Sequence, residues 1–194
     1  MLLIKNKISG ILLRPGQAIH APTVVLTCGT FLGGLVHIGE QKIQAGRMGE
    51  HRAEGITEAL ESLGIRSGRL KTGTPPRLLR ASINWDKTNA VFGDINPIPF
   101  SYSTINFSPP NLPCYHIKTN PECHGVIQKN LFKSPMYSGD ITGVGPRYCP
   151  SIEDKIHRFV DKDSHLLYLE PEWTGSDQIY VNGFSTSLPE KIQL

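Results

Sequence analysis

The feature that most constrains this fold is the stretch from 76 to 125, which proline interrupts repeatedly. It contains Pro76, Pro97, Pro99, Pro109, Pro110, Pro113 and Pro121. Proline lacks a backbone N–H and has a fixed φ, so it ends helices and is kept out of central strands. The stretch is therefore predicted to form extended segments and long loops, and a helical bundle is excluded.

On the amino-terminal side, short apolar runs predict β-structure. Runs at 2–4 and 8–13 lead to a turn at Pro15-Gly16, and a third run at 24–27 ends in Cys28-Gly29-Thr30. Short strands with tight turns favour an antiparallel meander that leads into one buried strand. Apolar spacing then predicts a helix over 57–63, ending at Gly64, and a strand within 65–72.

On the carboxy-terminal side, the sequence predicts two helices and two strands. One helix is expected over 123–132, and strands are expected at 166–169 and 178–181. Ser151 is a suitable N-cap, and Asp154 three residues later comes close to a capping box. The apolar face predicted for that second helix comprises Ile152, Ile156, Phe159 and Val160.

Composition and motifs exclude several classes of protein. The net charge of +3 is too small to impose a strongly basic surface, and no apolar stretch is long enough to span a membrane. There is neither a signal peptide nor a C-x-x-C pair, so the four cysteines are expected to be reduced and no metal site is predicted. Neither a G-x-G-x-x-G nor a G-x-x-x-x-G-K-[ST] phosphate loop is present.

Cys149 lies in the most chemically suggestive segment, 145–155. It precedes the predicted N-cap Ser151 and stands two residues after Arg147. A helix N-terminus and a nearby cation lower the pKa of a thiol, and free N–H groups there also bind phosphate. The same spacing fits an inert thiol beside a loop, so both interpretations stay open at this point.

A second candidate site is the cation-rich segment 68–77. Arg69, Lys71 and Arg77 accompany two glycines and two threonines. Such a segment suits contact with a polyanion such as an RNA backbone, or it is simply a solvated turn.

Seven strings together resemble the MnmG (GidA) family of flavoproteins, which modify the wobble uridine of tRNA. The strings are VVLTCGTF (24–31), GRMG (46–49), GRLKTGTPPR (68–77), SPMYSG (134–139), GPRYCPSIEDK (145–155), LEPE (169–172) and NGFSTSLP (182–189). The resemblance extends over essentially the whole chain.

The resemblance implies a specific activity. Members bind FAD, use NADH and work with a GTPase partner, MnmE. They add an aminomethyl-type or carboxymethylaminomethyl group to C5 of the tRNA wobble uridine, taking the one-carbon unit from methylenetetrahydrofolate. They act as homodimers in the cytoplasm, so the same is expected here. Members also begin with a G-x-G-x-x-G loop and end with a helical domain, so this chain is expected to be an internal segment that is inactive alone.

The resemblance also implies site residues. The expected FAD contacts are Thr27, Gly29, Thr30, Arg47, Gly49 and, through its backbone, Ala53. The expected NAD contacts are Gly145, Pro146, Arg147, Tyr148, Pro150, Ser151, Ile152, Glu153, Asp154, Lys155 and Phe159. Cys149 matches a family cysteine implicated in catalysis, and a thiolate there either adds to an electrophilic pyrimidine carbon or shuttles a proton.

For the fold, the resemblance implies an α/β class. The chain would be part of a Rossmann-like FAD/NAD(P)-binding domain of the glutathione-reductase type with an inserted α+β domain. Residues 1–75 would belong to the FAD domain, 76–146 to the inserted NADH-associated domain, and 147–194 to the FAD domain again. Two alternatives remain: a folate- and FAD-dependent tRNA uridine methyltransferase relative, or a non-catalytic RNA- or protein-binding remnant.

Overall fold

In the computed structural model, an amino-terminal antiparallel meander forms with its first two strands at the predicted runs and its third at residues 18–20, where no strand was predicted. Strands β1 (Leu2–Ile4), β2 (Lys7–Leu12) and β3 (Ala18–His20) form an antiparallel sheet in that order. Gly10 lies buried in β2 with φ +143°, and a Cβ there would overlap the carbonyl oxygen of Ile19. Only glycine fits this irregularity in the ladder.

The structure describes residues 1–5, 7–13, 15–47, 49–139, 141 and 150–194. They divide into unit 1, residues 1–69, and unit 2, residues 70–194.

Two further hairpins and one helix complete unit 1. Strands β4 (Val36–Ile38) and β5 (Gln41–Ile43) pair, as do β6 (Ala45–Arg47) and β7 (Glu50–His51). Helix α1 (Ile56–Glu61) is followed by a closing turn at Gly64, the predicted stop residue, which has φ +81°. The N–H groups of Gly64 and Ile65 donate to the carbonyl oxygens of Glu61 and Leu60, so the last turn is closed by a left-handed glycine.

Two predicted strands are not formed. Residues 24–27 form no strand and have no strand partner among the described residues, and Val25 is 84% exposed. Residues 65–69 and 71–73 are likewise irregular. Apolar, β-branched runs favour extended backbone, but a strand also needs a neighbouring strand to receive its hydrogen bonds.

An antiparallel five-stranded sheet is the main element of unit 2. Its order is β8 (Arg77–Leu79), β12 (Gln178–Asn182), β11 (Leu166–Pro171), β10 (Cys114–Lys118) and β9 (Asn89–Val91). Alternate residues of β11 and β12 point into a buried cluster of Leu167, Leu169, Ile179 and Val181. Both strands predicted at 166–169 and 178–181 are therefore confirmed, with the hydrophobic alternation of a half-buried sheet.

The helices in the described part of unit 2 are α2 (Pro121–Lys129), α3 (Pro135–Ser138), α4 (Ile152–Arg158) and α5 (Glu190–Gln193), and short 3-10 turns occupy Arg80–Ser82, Trp85–Lys87 and Leu131–Lys133. Side chains of α2, α4 and α5 pack in a second apolar cluster. Ile127 of α2 and Ile152 and Ile156 of α4 meet Leu188 in this cluster. Phe159 and Val160 do not join that face: they are 49% and 66% exposed because α4 ends at Arg158.

The sheet of unit 2 joins strands from two of the predicted domains, and the two compact units divide after residue 69. Strands β8, β9 and β10 from the predicted insertion share one sheet with β11 and β12, which lie beyond residue 147. The assignment of 1–75 and 147–194 to an FAD domain and of 76–146 to an NADH-associated insertion stays a prediction.

Candidate functional site

The first candidate site is a turn that wraps around Phe31 in unit 1. The Phe31 N–H donates to the carbonyl oxygen of Cys28 (2.9 Å), and Gly29 between them has φ +50°. The hydroxyl of Thr30 donates to the carbonyl oxygen of Gly46 (2.6 Å). The predicted flavin contacts at 29–30 are thereby fixed to the segment that carries Arg47.

A third segment closes the same turn. The Ala53 N–H donates to the Phe31 carbonyl oxygen (2.8 Å), and the Gly33 N–H donates to the Ala53 carbonyl oxygen (3.0 Å). A Cβ on Gly46 would overlap the Phe31 ring, so this position needs glycine. We call the assembly of 28–34, 45–47 and 49–53 the Phe31 cluster. It brings predicted FAD contacts from three separate sequence segments into one local structure.

The outer side of the Phe31 cluster is accessible. Thr27, Gly29, Thr30, Arg47 and Gly49 are all exposed. Gly29 and Gly49 have positive φ, and nothing lies within 4 Å of where their Cβ atoms would be. Arg47 Nε forms an ion pair with Glu50 at 3.3 Å. Backbone without side chains therefore faces open space at two points of this surface, which leaves room for a ligand to approach it closely.

The second candidate site is the segment that leads into α4 in unit 2. Ser151 is the N-cap, as predicted, and its hydroxyl accepts from the Asp154 N–H (3.1 Å). The Ile152 N–H donates to the carbonyl oxygen of Ser185 (2.7 Å). The two bonds satisfy donors at the first turn of the helix, which is why the helix begins here.

Glu153, one residue after Ile152, is entirely buried. Its Oε1 accepts from the Thr186 hydroxyl (2.9 Å), the Ser187 N–H (3.0 Å) and the Ser134 hydroxyl (3.3 Å). Its Oε2 is also buried and has no hydrogen-bond partner among the residues that the structure describes. This carboxyl group links α4 to the segment before α3 and to the chain after β12. The resemblance implies that Glu153 is an NAD contact, and no pattern in the sequence indicated this internal role.

The remaining predicted NAD contacts in and beside α4 contact other residues of unit 2 or are buried in it. Tyr137 donates its hydroxyl to Asp154 Oδ1 (3.0 Å), and burial followed by this hydrogen bond raises the pKa of Tyr137 well above its ordinary value. Lys155 Nζ donates to the Gly183 carbonyl oxygen (2.8 Å). Phe159 is half-exposed beneath the Lys162 ammonium group. Pro150 is partly buried, whereas Ser151, Ile152 and Glu153 are fully buried, so their side chains face the interior of unit 2.

Five of the predicted site residues lie outside the described residues. They are Gly145, Pro146, Arg147, Tyr148 and the predicted catalytic residue Cys149.

The three predicted nucleic-acid contacts each bind another part of the chain. Arg69 of unit 1 donates Nη1 and Nη2 to the Gly33 carbonyl oxygen, both at 3.1 Å. In unit 2, Lys71 Nζ lies 3.5 Å from the Met136 carbonyl oxygen. Arg77 forms an ion pair with Glu172 at 2.5 Å and stacks over the Tyr180 ring.

Sequence reasoning missed a pair of histidines beside the sheet. His124 Nε2 and the Thr119 hydroxyl are 2.7 Å apart, and the same hydroxyl accepts from the His165 N–H (2.8 Å). Burial, then the charges of His124, Lys155 and Lys162, lower the pKa of His165. The two histidines are 41 positions apart in the sequence, so only the fold brings them together.

Three further features of the described ranges concern thiols, metal ligands and membrane-spanning helices. Cys28, Cys114 and Cys123 are free thiols, and burial raises the pKa of Cys123. No group of three His, Cys, Asp or Glu side chains in these ranges is placed to hold a metal ion. None of their helices has the length and apolar character that crossing a bilayer requires.

The sequence matches one family over its whole length. The family is described as glucose inhibited division protein A, and the match covers residues 1–194. The chain is 50% identical over 191 residues to the tRNA uridine 5-carboxymethylaminomethyl modification enzyme MnmG of Chlorobaculum tepidum, covering 97% of this chain. It is 49% identical over 194 residues to the enzyme of the same name from Syntrophotalea carbinolica. It spans 31% of the length of each of these relatives.

A solved structure has the same fold. The chain superposes on Aquifex aeolicus GidA in its form I crystal with a TM-score of 0.80 and 40% sequence identity. The match covers 99% of this chain and 33% of that one. The form II crystal gives a TM-score of 0.79. These matches confirm both the predicted family and the predicted α/β fold class.

Proposed function

Because the chain belongs to the glucose inhibited division protein A family, whose relatives above are named as tRNA uridine modification enzymes, we propose that it is part of such an enzyme. The complete enzyme adds an aminomethyl or carboxymethylaminomethyl group to C5 of the tRNA wobble uridine. It uses FAD, NADH and methylenetetrahydrofolate, works with an MnmE-type GTPase, and acts as a homodimer in the cytoplasm. The observation that carries this proposal is the family match along all 194 residues.

The Phe31 cluster supports the assignment of FAD to unit 1. Thr27, Gly29, Thr30, Arg47 and Gly49 would lie along the bound cofactor, with Ala53 contributing backbone. When bound, FAD supplies the oxidation–reduction chemistry that NADH drives. The chain's own contribution is a rigid backbone surface: the Thr30 hydroxyl is already bonded to Gly46, so it holds the turn in shape.

The NADH part of the proposal divides the predicted residues into two groups. Ser151, Ile152 and Glu153 are too deeply buried to touch a dinucleotide, so we assign them to holding the segment in place. Pro150, Asp154, Lys155 and Phe159, with 145–148, would make the contacts. Cys149 is assigned the catalytic role, adding its sulfur to the pyrimidine or carrying a proton.

The decisive experiment separates an enzyme from a binding module. Cys149→Ser is introduced into the protein at its full encoded length in a strain that lacks the endogenous activity. The modified uridine is then measured by mass spectrometry of tRNA nucleosides, and tRNA affinity is measured on the purified protein. We expect modification to be abolished and tRNA affinity to be unchanged. Cys114→Ser, which replaces another thiol of the same chain, is the control and should retain modification.

Modification that persists in Cys149→Ser would refute the catalytic role of Cys149 but keep the enzymatic assignment. If the wild-type protein binds tRNA but does not restore the modified uridine, the enzymatic assignment is refuted and the non-catalytic binding module is favoured.

The flavin site has its own test. Gly46→Ala places a methyl group against the Phe31 ring, whereas Gly68→Ala meets nothing within 4 Å. We expect Gly46→Ala to lower the FAD content of the purified protein, measured by absorbance, and Gly68→Ala to leave it unchanged.

A further inference from the structure

Residues 65–69, which follow helix α1, bring a charged side chain to the Phe31 cluster. The Ser67 hydroxyl donates to the carboxylate of Glu61 at the end of α1, which ties the segment to the helix. Arg69 then donates Nη1 and Nη2 to the carbonyl oxygen of Gly33, both at 3.1 Å. A guanidinium group keeps its charge at every ordinary pH, so these bonds are stronger than bonds between neutral groups. Arg69 thereby joins a fourth segment of unit 1 to the Phe31 cluster.

The peptide unit that Arg69 holds lies between Gly33 and Gly34. With a glycine on each side, it has no flanking Cβ to restrict its rotation, and a Cβ on Gly34 would overlap the Ala45 carbonyl oxygen. Its N–H, which belongs to Gly34, donates to the Phe31 carbonyl oxygen (3.2 Å). Its carbonyl group accepts from Arg69 and from no other residue that the structure describes. The Arg69 side chain therefore supplies a restraint that the backbone itself lacks.

This peptide unit controls the shape of the Phe31 cluster. The Phe31 carbonyl oxygen accepts from Gly34 and also from the Ala53 N–H (2.8 Å), so rotation of the unit would remove one of its two donors. Gly29 and Thr30, two of the predicted FAD contacts, directly precede Phe31 in the chain. A change in the orientation of the Gly33 carbonyl group is therefore expected to reach the surface that would face the cofactor.

The bonding of Arg69 is unlike that of an arginine that grips a phosphate. Such an arginine directs two N–H groups at the phosphate oxygens, whereas both Nη atoms of Arg69 already donate to a backbone oxygen. We propose that Arg69 is a positioning residue of the FAD site, acting through the Gly33 carbonyl group, and that it is not a tRNA contact. This inference rests on the assignment of FAD to unit 1 in the proposed function.

Arg69→Ala in the protein at its full encoded length tests the inference. FAD is removed, and its dissociation constant is measured from the change in flavin fluorescence on rebinding. We expect FAD to bind about 10-fold more weakly, because the charged donors to Gly33 are lost. The matched control is Arg66→Ala, which removes the same charge three positions earlier. Arg66 is exposed and has no hydrogen bond or ion pair with the described part of the chain, so its loss should leave FAD binding unchanged.

Two further measurements separate positioning from charge and from fold stability. Arg69→Lys keeps the charge but not the fork of two Nη donors, so we expect it to recover only part of the affinity for FAD. The visible circular dichroism of flavin at saturating FAD should change in Arg69→Ala and not in Arg66→Ala. Full affinity in Arg69→Lys would overturn the inference, because charge alone would then suffice. A lower thermal midpoint of the FAD-free protein with an unchanged flavin spectrum would also overturn it, because Arg69 would then only stabilise unit 1.

Binding of tRNA gives the opposing result. The affinity for a tRNA transcribed in vitro is measured over a range of salt concentrations. We expect Arg69→Ala to leave both the affinity and its salt dependence unchanged, whereas a lost phosphate contact would lower the slope of log K against log salt by about 1. A lower slope with unchanged FAD binding would overturn the inference and restore Arg69 as a nucleic-acid contact.

Gly46→Ala separates failure of this inference from failure of the proposed FAD site. If Gly46→Ala weakens FAD binding and Arg69→Ala does not, the positioning role of Arg69 is refuted and the site stands. If neither variant weakens FAD binding, the assignment of FAD to the Phe31 cluster is itself refuted, and the inference fails with it.

Discussion

Removing the carboxyl group of Glu153 is expected to destabilise unit 2 strongly. In Glu153→Ala, two hydroxyl donors and the Ser187 N–H lose their buried acceptor. Hydrogen bonds to charged groups contribute about 1.5–3 kcal/mol each, but the Ser134 and Ser187 hydroxyls also bond to each other. Removing Oε2, which is buried and unpartnered within the described part of the chain, returns about 1–3 kcal/mol. We therefore expect a net loss of about 2–4 kcal/mol.

Glu153→Gln isolates the acceptor from the charge. Its amide oxygen can keep the three donors, while its NH₂ group enters the place of Oε2, which has no hydrogen-bond partner among the described residues. We expect a loss of about 1 kcal/mol, clearly below that of the alanine variant. Asp163→Ala, at an exposed carboxylate in a loop of the same unit, should stay within about 0.5 kcal/mol of wild type.

Urea unfolding followed by tryptophan fluorescence measures these differences in the stability of unit 2. The chain has two tryptophans, Trp85 and Trp173, and both belong to unit 2. With a slope of about 2 kcal/mol/M, a loss of 3 kcal/mol would shift the midpoint by about 1.5 M. If Glu153→Ala shifts the midpoint no more than Asp163→Ala, the network does not hold the segment. If Glu153→Ala and Glu153→Gln lose the same free energy of unfolding, the hydrogen bonds accepted by Oε1 are not the source of the stability.

Three further predictions use the same assay. Ser151→Ala removes the acceptor for the Asp154 N–H and should cost about 1 kcal/mol, whereas Ser151→Asp should recover most of it. The pKa of His165 is lowered in the folded state. Its contribution to the free energy of unfolding is therefore complete above the unfolded pKa of about 6.5 and is lost as pH falls through the folded pKa. His165→Gln should flatten the loss of stability on acidification, and His157→Gln on α4 should not. Ile179→Ala, at a fully buried site, should cost about 2–5 kcal/mol, and a small shift like that of exposed Val160→Ala would contradict the assigned core.

Elements specified by neighbouring residues were predictable from sequence. The first two strands of the meander, Gly64, the Ser151 cap and strands β11 and β12 depend on turn residues, capping side chains and alternation within a few positions. Of the predicted capping box, the bond from the Asp154 N–H to the Ser151 hydroxyl is confirmed. The Asp154 carboxylate, however, accepts from the Tyr137 hydroxyl. Tyr137 is 17 positions away, so no local pattern could have indicated it.

The site was predictable as a set of motifs but not as a geometry. The resemblance selected both the 27–30 turn and Ala53, yet only the structure shows that Phe31 joins them through two backbone hydrogen bonds. It also selected Glu153 as a ligand contact, whereas the side chain is enclosed by hydroxyl groups from residues 134 and 186. A motif identifies residues that matter, but burial decides whether a side chain meets a ligand or supports those that do.

The run at 24–27 shows the limit of local reasoning most clearly. Its residues have the β-propensity of a buried strand, yet Val25 is 84% exposed and no described residue pairs with the run. A strand in an α/β sheet receives its hydrogen bonds from neighbours that are distant in sequence, so its burial depends on them and not on its own pattern. The chain spans about a third of its relatives' length. If the neighbours lie in the rest of the polypeptide, hydrogen exchange of 24–27 should be fast in the 194-residue chain and at least about 100-fold slower in the full-length protein. Equal exchange rates in both would show that the run is an exposed linker and that the predicted strand is wrong.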